Sequence, residues 1–214
     1  MVYKLSSAAI AERLKPILPN IISEPQSGFI SGRSIGDCTR LIYDLMSYAE
    51  KHTIPGLIML IDFEKAFDSV SWSFLYNVLE TFGFDDNFIK WIKLFNNDIK
   101  AYVIQCGFLS QPIPIERGCR QGDPIAPYLF LLVVEVLSCL IIGSSDINGI
   151  KIGNTTFKIT QFADDTTLIL DGSLNSLQSA LNILEIFGEL SGLKMNCEKM
   201  KLTWIGSEVT SQKS

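Results

Sequence analysis

The sequence has a single histidine, His52, and no C-x-x-C pair among its five cysteines. One imidazole leaves almost no material for a zinc site or a Ser-His-Asp triad. Cys38, Cys106, Cys119, Cys139 and Cys197 are odd in number and widely scattered, which argues against a disulfide scaffold and for a reduced, intracellular chain. His52 stands beside Lys51 in a polar link and reads as a solvated loop residue. A surplus of positive charge is also missing: 18 Lys and Arg against 23 Asp and Glu give a formal net charge of -5. That balance argues against a self-contained basic nucleic-acid binder, because neutralising phosphates takes cations. A polyanionic partner would need metal ions or basic parts from outside this stretch. Internal repeats, low-complexity tracts and Pro/Ser linkers are absent, and the opening segment has the spaced charges of an amphipathic helix rather than a signal peptide.

What remains is material for one sizeable core: 214 residues, 47% of them hydrophobic and 19% charged. The longest apolar run, Asp123 to Gly143, approaches membrane-span length, but Glu135 in its middle and Pro127 near its start favour a helix buried in a large core, with no membrane partner. Apolar periodicity predicts helices over Ser7–Leu18, Cys38–Lys51 (Asp37 as N-cap), Trp72–Phe82, Asn87–Phe95, Pro124–Ile142 (Asp123 as N-cap, Pro124 at N1) and Ser173–Gly192. The continuous run Gly56–Phe63 predicts a fully buried strand. Hairpins are expected around Gly107 and around Gly153-Asn154, and a last strand at Lys201–Gly206. This mixture predicts an α+β fold, a mostly antiparallel sheet with helices on one face, compatible with a ferredoxin-like palm.

One stretch stands out, "KITQFADDTTLIL" from Lys158 to Leu170, where Asp164 and Asp165 interrupt two otherwise apolar and β-branched strands. Asp62 ends another strand, "LIMLID". If these strands are neighbours, three carboxylates converge and repel one another, a cost that divalent cations remove. Two ions roughly 3.5–4 Å apart form the clamp for in-line phosphoryl displacement. The bland alternative is that Asp-Asp is simply a good turn.

Five blocks in order decide between these: "LIDFEKAFDSV" (60–70), "RGCRQGDPIAPYLF" (117–130), "FADD" (162–165), "GLKMNCEKMK" (192–201) and "WIG" (204–206). Together they resemble the reverse transcriptases of LINE-type, non-LTR retrotransposons over nearly the whole chain. The resemblance implies a right-hand polymerase palm with part of the fingers. It implies that Asp62 and Asp164 are principal metal ligands, Asp165 a supporting one and the carbonyl of Phe63 a further one. Two Mg²⁺ ions are implied, with Mn²⁺ as a substitute. Phe67 matches the ring that excludes a 2′-hydroxyl, and packing in the core is its other reading. Gln121 and Gly122 match the segment against the bound nucleotide. Lys199 matches the lysine that protonates departing pyrophosphate, with Lys194 and Lys201 as competitors. Trp204 and Gly206 match the turn that grips the primer, although Trp204 also suits a core. "QSGFISGRS" (26–34) resembles the fingers–palm junction, with Arg33 either a phosphate contact or a solvated turn residue.

By the same resemblance, residues 1–54 are partial fingers and the fingers–palm junction, 55–206 the palm, and 207–214 a truncated tail toward a thumb. The Arg-Pro block of the fingers, the thumb and an endonuclease region would lie elsewhere in a longer polyprotein. The fragment alone is then expected to expose apolar surface and to be poorly active. RNA template, DNA primer and deoxynucleoside triphosphates are the implied partners, and cytoplasm and nucleus the implied compartments. Two other readings stand beside this one: a catalytically inactive remnant that only binds nucleic acid or protein, and an RNA-copying RNA polymerase, which Phe67 and Ala163 disfavour.

Overall fold

A strand that is apolar at every position must be covered on both faces, and the computed structural model, which describes residues 2–206, shows how. The tail assigned to 207–214 lies outside the described residues. In chain order the elements are α1 (Val2–Leu14), α2 (Leu18–Ile21), α3 (Ile35–His52), β1 (Gly56–Ile61), α4 (Ala66–Ser69), α5 (Trp72–Thr81) and α6 (Asp86–Phe95). Four two-residue strands follow: β2 (Lys100–Ala101), β3 (Ile104–Gln105), β4 (Phe108–Leu109) and β5 (Ile113–Pro114). Then come α7 (Ala126–Gly143), β6 (Ile150–Ile152), β7 (Thr155–Phe157), β8 (Ile159–Phe162), β9 (Asp165–Leu170), α8 (Leu174–Ser191) and β10 (Lys201–Ile205).

β1 lies in the middle of a four-stranded antiparallel sheet ordered β10-β1-β9-β8. With α5 to α7 between β1 and β8, and α8 between β9 and β10, the connectivity is that of a split βαβ unit. Alternate side chains of β1 point to opposite faces. Leu57, Met59 and Ile61 enter the main core with Leu168 and Leu170 of β9, where α7 and α8 supply Phe130, Leu131 and Phe187. Ile58 and Ile169 point the other way, onto Leu45 and Ala49 of α3 and Ile150 of β6. The α+β expectation therefore holds, but helices on one face only is corrected: α3 and the β6–β7 hairpin cover part of the second face, while Leu60 of β1 stays 41% exposed, so the strand is not fully buried. The sequence already carried that signal, since one-sided cover would have left β1 alternating.

α7 is long and apolar enough to cross a membrane by length and composition, but 61% of it is buried inside the protein. Its one acid, Glu135, is 2% exposed. Its carboxylate accepts from the Ser23 N–H (3.0 Å) and Oγ (3.1 Å), so a buried charge-bearing group is anchored rather than stranded. Burial nonetheless pushes that carboxyl above its ordinary range.

Several element ends differ from the sequence reading for identifiable reasons. Ser34, not Asp37, is the N-cap of α3, and Asp37 at N3 returns a bond to the Ser34 N–H (2.8 Å) in a capping box. α7 begins at Ala126 rather than Pro124: Asp123 still accepts from the Ile125 N–H (3.4 Å), but it also accepts from the Tyr3 and Ser7 hydroxyls of α1, and Pro127 takes the first turn. α1 starts earlier than Ser7 and stops at Leu14, before the separate short α2. His52 closes α3 and leans on the Tyr48 ring, 4.3 Å between centroids. All five cysteines are unpaired.

Candidate active site

Asp62 follows β1 directly, where the strand emerges from the core, and its side chain is 35% exposed. The chain from Lys194 to Asn196 runs antiparallel beside it. Asn196 N–H donates to the Asp62 carbonyl (2.8 Å), Glu64 N–H donates to the Lys194 carbonyl (2.9 Å), and Phe63 pairs with Met195. Phe63 is itself buried. This stitching returns Lys199 to the same place, with Nζ 3.1 Å from Oδ2 of Asp62.

Asp164 and Asp165 reach that end of the sheet from the other side of β1. β9 is its antiparallel neighbour, with Ile61 opposite Thr166. β8 and β9 are joined by the two-residue turn Ala163-Asp164, which sets Phe162 opposite Asp165. Asp62, Asp165 and Lys199 line one open cleft of about 600 Å³ between α3 and the sheet, which Glu198 and Cys38 also line. Asp165 remains exposed, yet loss of water, then the charges of Asp164 and Asp62, hold its carboxyl above the ordinary carboxylate range. Asp165 thus feels the charge of both other acids. Among the described residues, no three His, Cys, Asp or Glu side chains are arranged to hold a metal ion as they stand.

Phe67, Gln121 and Gly122 form a second group, outside the lining of that cleft. The segments are tied by Cys119 N–H to the Phe67 carbonyl (2.6 Å) and Gly118 N–H to the Val70 carbonyl (2.8 Å). Gly118, at φ +93°, approaches so closely that a Cβ there would lie 2.8 Å from the Asp68 carbonyl oxygen. Phe67 stacks on Phe130 of α7, with centroids 4.3 Å apart and planes 20° apart, and stays half-buried. Gln121 is exposed and reaches Asp68 at 3.4 Å. Gly122 turns the chain at φ +77°.

The remaining residues lie elsewhere. Trp204 on β10 pairs with Leu57, near the start of β1 and so about 16 Å along the strand from Asp62. It is 50% exposed, not a core aromatic. Gly206 passes under the end of α3, where a Cβ would lie 1.9 Å from the Ile54 carbonyl oxygen. Arg33 donates to the carbonyls of Ser23 (2.5 Å), Gln26 (2.6 Å) and Ile22 (3.2 Å), so much of its guanidinium is engaged within its own loop.

The sequence reading passed over the buried amides beneath the acids. Gln161 of β8 accepts from Ser138 of α7 and donates to Thr166 of β9 (2.9 Å), while Gln26 reaches the Ala163-Asp164 turn itself. Gln26 lies within the block that drew attention to Arg33. Its only signal was an uncharged polar residue in a turn segment, between Pro25 and Ser27, which is too common to single out.

Residues 1–212 match the family model described as reverse transcriptase (RNA-dependent DNA polymerase), and the chain belongs to that family. Its relatives place it among the non-LTR retrotransposon proteins. It is 29% identical over 199 residues, 92% of this chain, to the transposon TX1 uncharacterized 149 kDa protein of Xenopus laevis. It is 30% identical over 174 residues, 81% of the chain, to the retrovirus-related Pol polyprotein from the type-2 retrotransposable element R2DM of Drosophila melanogaster. The chain spans only 15% and 16% of the length of these two relatives. In fold it is similar to apo telomerase from Candida tropicalis truncated from the C-terminal domain, with a TM-score of 0.65 at 11% identity, covering 99% of this chain and 43% of that one. Telomerase from Candida albicans in complex with a fragment of telomeric RNA matches with a TM-score of 0.65 at 14% identity over 92% of this chain and 35% of that one.

Proposed function

We propose that the chain is the palm-centred segment of an RNA-directed DNA polymerase, part of a longer retrotransposon polyprotein, that adds deoxynucleotides to a primer 3′-hydroxyl on an RNA template. The observation that carries this reading is the convergence of Asp62 and Asp165, distant in sequence, on one solvent-open cleft at the end of the sheet, with Asp164 beside them. Residues 1–54 are then part of the fingers and 55–206 the palm. Cytoplasm and nucleus are the compartments this reading implies.

The donor set fits hard divalent cations: Asp165 feels the charges of Asp164 and Asp62, and Asp62 already accepts a cation, the Lys199 ammonium. Asp62, Asp164 and Asp165, with the Phe63 carbonyl, would hold two Mg²⁺, or Mn²⁺ in their place. Bound there, the ions would activate the attacking hydroxyl and neutralise the departing pyrophosphate. The protein's own groups do the rest. Phe67, braced on Phe130, presents a flat wall that leaves no room for a 2′-hydroxyl. Gln121 and Gly122 shape the nucleotide side of that wall. Lys199 keeps a proton at Nζ for the leaving group. Arg33 steadies the fingers–palm loop beside the template, and Trp204 with Gly206 offers the primer a surface.

Lys199→Ala separates a general acid from a surface ion pair. An exposed pair contributes about 1 kcal/mol at most, so denaturant midpoints should barely move. Nucleotide incorporation should nevertheless slow by about 10²-fold if Nζ supplies the proton, with the dTTP KM little changed.

A second reading is favoured by the present arrangement of the carboxylates, with Lys199 on Asp62 and no metal-ready trio among the described residues: a silent module that binds nucleic acid or protein. Primer extension on poly(rA)/oligo(dT) with Mg²⁺, by the chain within its natural flanking sequence, distinguishes the two. Incorporation of dTTP in preference to UTP supports the polymerase. Duplex binding without incorporation supports the silent module.

A further inference from the structure

The turn that carries the acids is not held by its own hairpin alone. Ala163 occupies the left-handed region at φ +55°, which costs a non-glycine residue on the order of 1–2 kcal/mol and needs outside support. Gln26, 0% exposed, supplies it. Its Oε1 accepts from the Ala163 N–H at 2.9 Å, and its Nε2 donates to the Ala163 carbonyl at 3.2 Å. One carboxamide thus closes a two-point ring on a single residue of the turn, as a neighbouring backbone strand would.

The surroundings fix that carboxamide in turn. Gly28 N–H donates to the same Oε1 at 2.8 Å, so Oε1 is doubly used and the flip state of the amide is set. Residues 25–27 run parallel to β8: Gln161 N–H donates to the Pro25 carbonyl (2.8 Å), and Ser27 N–H donates to the Gln161 carbonyl (2.9 Å). Approach is so close at Gly28 that a Cβ would lie 2.3 Å from the Ala163 nitrogen. Arg33 locks the loop from outside through the Gln26 carbonyl at 2.6 Å.

We propose that Gln26 is a positioning residue that sets the backbone of the Ala163-Asp164 turn and so aims the Asp164 and Asp165 carboxylates. The proposal rests on the reading of these acids as the polymerase metal ligands for its functional consequence, but not for the clamp itself. Loosening the turn would leave the acids present and mispositioned. That defect appears as a higher demand for metal rather than as an absent site.

Hydrogen exchange and metal dependence test it together, on the 214-residue chain and within its flanking sequence respectively. Gln26→Met removes all three bonds at similar volume. Exchange at the Ala163 and Gly28 amides should then accelerate by about tenfold or more, with α8 amides unchanged. The Mg²⁺ concentration for half-maximal dTTP incorporation should rise by about tenfold while the dTTP KM changes little. Gln26→Asn keeps the site polar but withdraws the amide by one methylene, and carries the same expectation should Gln26→Met not fold. Gln26→Glu keeps the Oε1 acceptor but sets a second oxygen against the Ala163 carbonyl in place of the Nε2 donor, so exchange at Ala163 should still be faster than in the wild type. Unchanged exchange at Ala163, or acceleration spread evenly over the chain, overturns the clamp. A clamp confirmed by exchange with an unshifted Mg²⁺ requirement overturns the aiming role. Failure of the wild type to incorporate any nucleotide contradicts the polymerase reading and its aiming consequence, and leaves the clamp to be decided by exchange.

Discussion

Asp164→Asn should abolish dTTP incorporation, by about 10³-fold or more, while leaving the metal-free fold as stable as before or more so. The two effects have one cause. Desolvation, then the charges of Asp164 and Asp62, raise the Asp165 carboxyl, so the site is an electrostatic liability when no cation sits in it. A carboxyl whose folded pKa lies above its unfolded value holds more protons when folded. Its contribution to stability therefore falls as pH climbs from the ordinary carboxylate range through the raised value, and the loss is complete above it. Removing the Asp164 charge removes part of that raise. Thermal melts without divalent ions should show a shallower decline between acid and neutral pH in the variant than in the wild type. A variant that melts well below the wild type at neutral pH would mean that Asp164 holds the turn together rather than a metal.

Phe130→Ala carries the second large effect, this time on the fold. Phe130, in the second turn of α7, is 0% exposed in the main core and stacks on Phe67. Truncating such a ring costs about 3–5 kcal/mol through lost burial and the cavity left behind. That is a large part of the roughly 5–15 kcal/mol that holds a domain together. Urea denaturation should report it as a lower midpoint with an unchanged slope. Since Phe67 loses the surface it stacks on, the folded fraction should also admit UTP more readily. A midpoint shift corresponding to less than about 1 kcal/mol would show that the core collapses to fill the space.

Much of this was legible in the sequence where one physical rule dominates. The apolar run of α7 with its lone acid reads as a core helix because an isolated carboxylate in lipid is costly, and the structure buries Glu135 against Ser23. The Asp-Asp stretch between β-branched strands reads as a hairpin, and the hairpin forms with its turn one residue earlier, at Ala163-Asp164, so that Asp165 opens β9 opposite Phe162. Less legible were features set by partners distant in sequence. Asp123 has the form of an N-cap and does reach the Ile125 N–H, but its bonds from the hydroxyls of Tyr3 and Ser7 could not be foreseen. α4 is four residues long, too short for any periodicity to show. Gln26 resembles any polar loop residue until the turn it grips, far along the chain, is placed against it.

The central claim is that the end of β1 and the Ala163-Asp164 turn together form one metal site. Replacing Mg²⁺ by Fe²⁺ in the presence of ascorbate and peroxide, and mapping where hydroxyl radicals cut the backbone, tests it most directly. The account predicts cuts clustered near residues 62–63 and 163–166, suppressed by added Mg²⁺ and lost in Asp164→Asn. Cuts at neither segment, or cuts there that persist in Asp164→Asn, would contradict it.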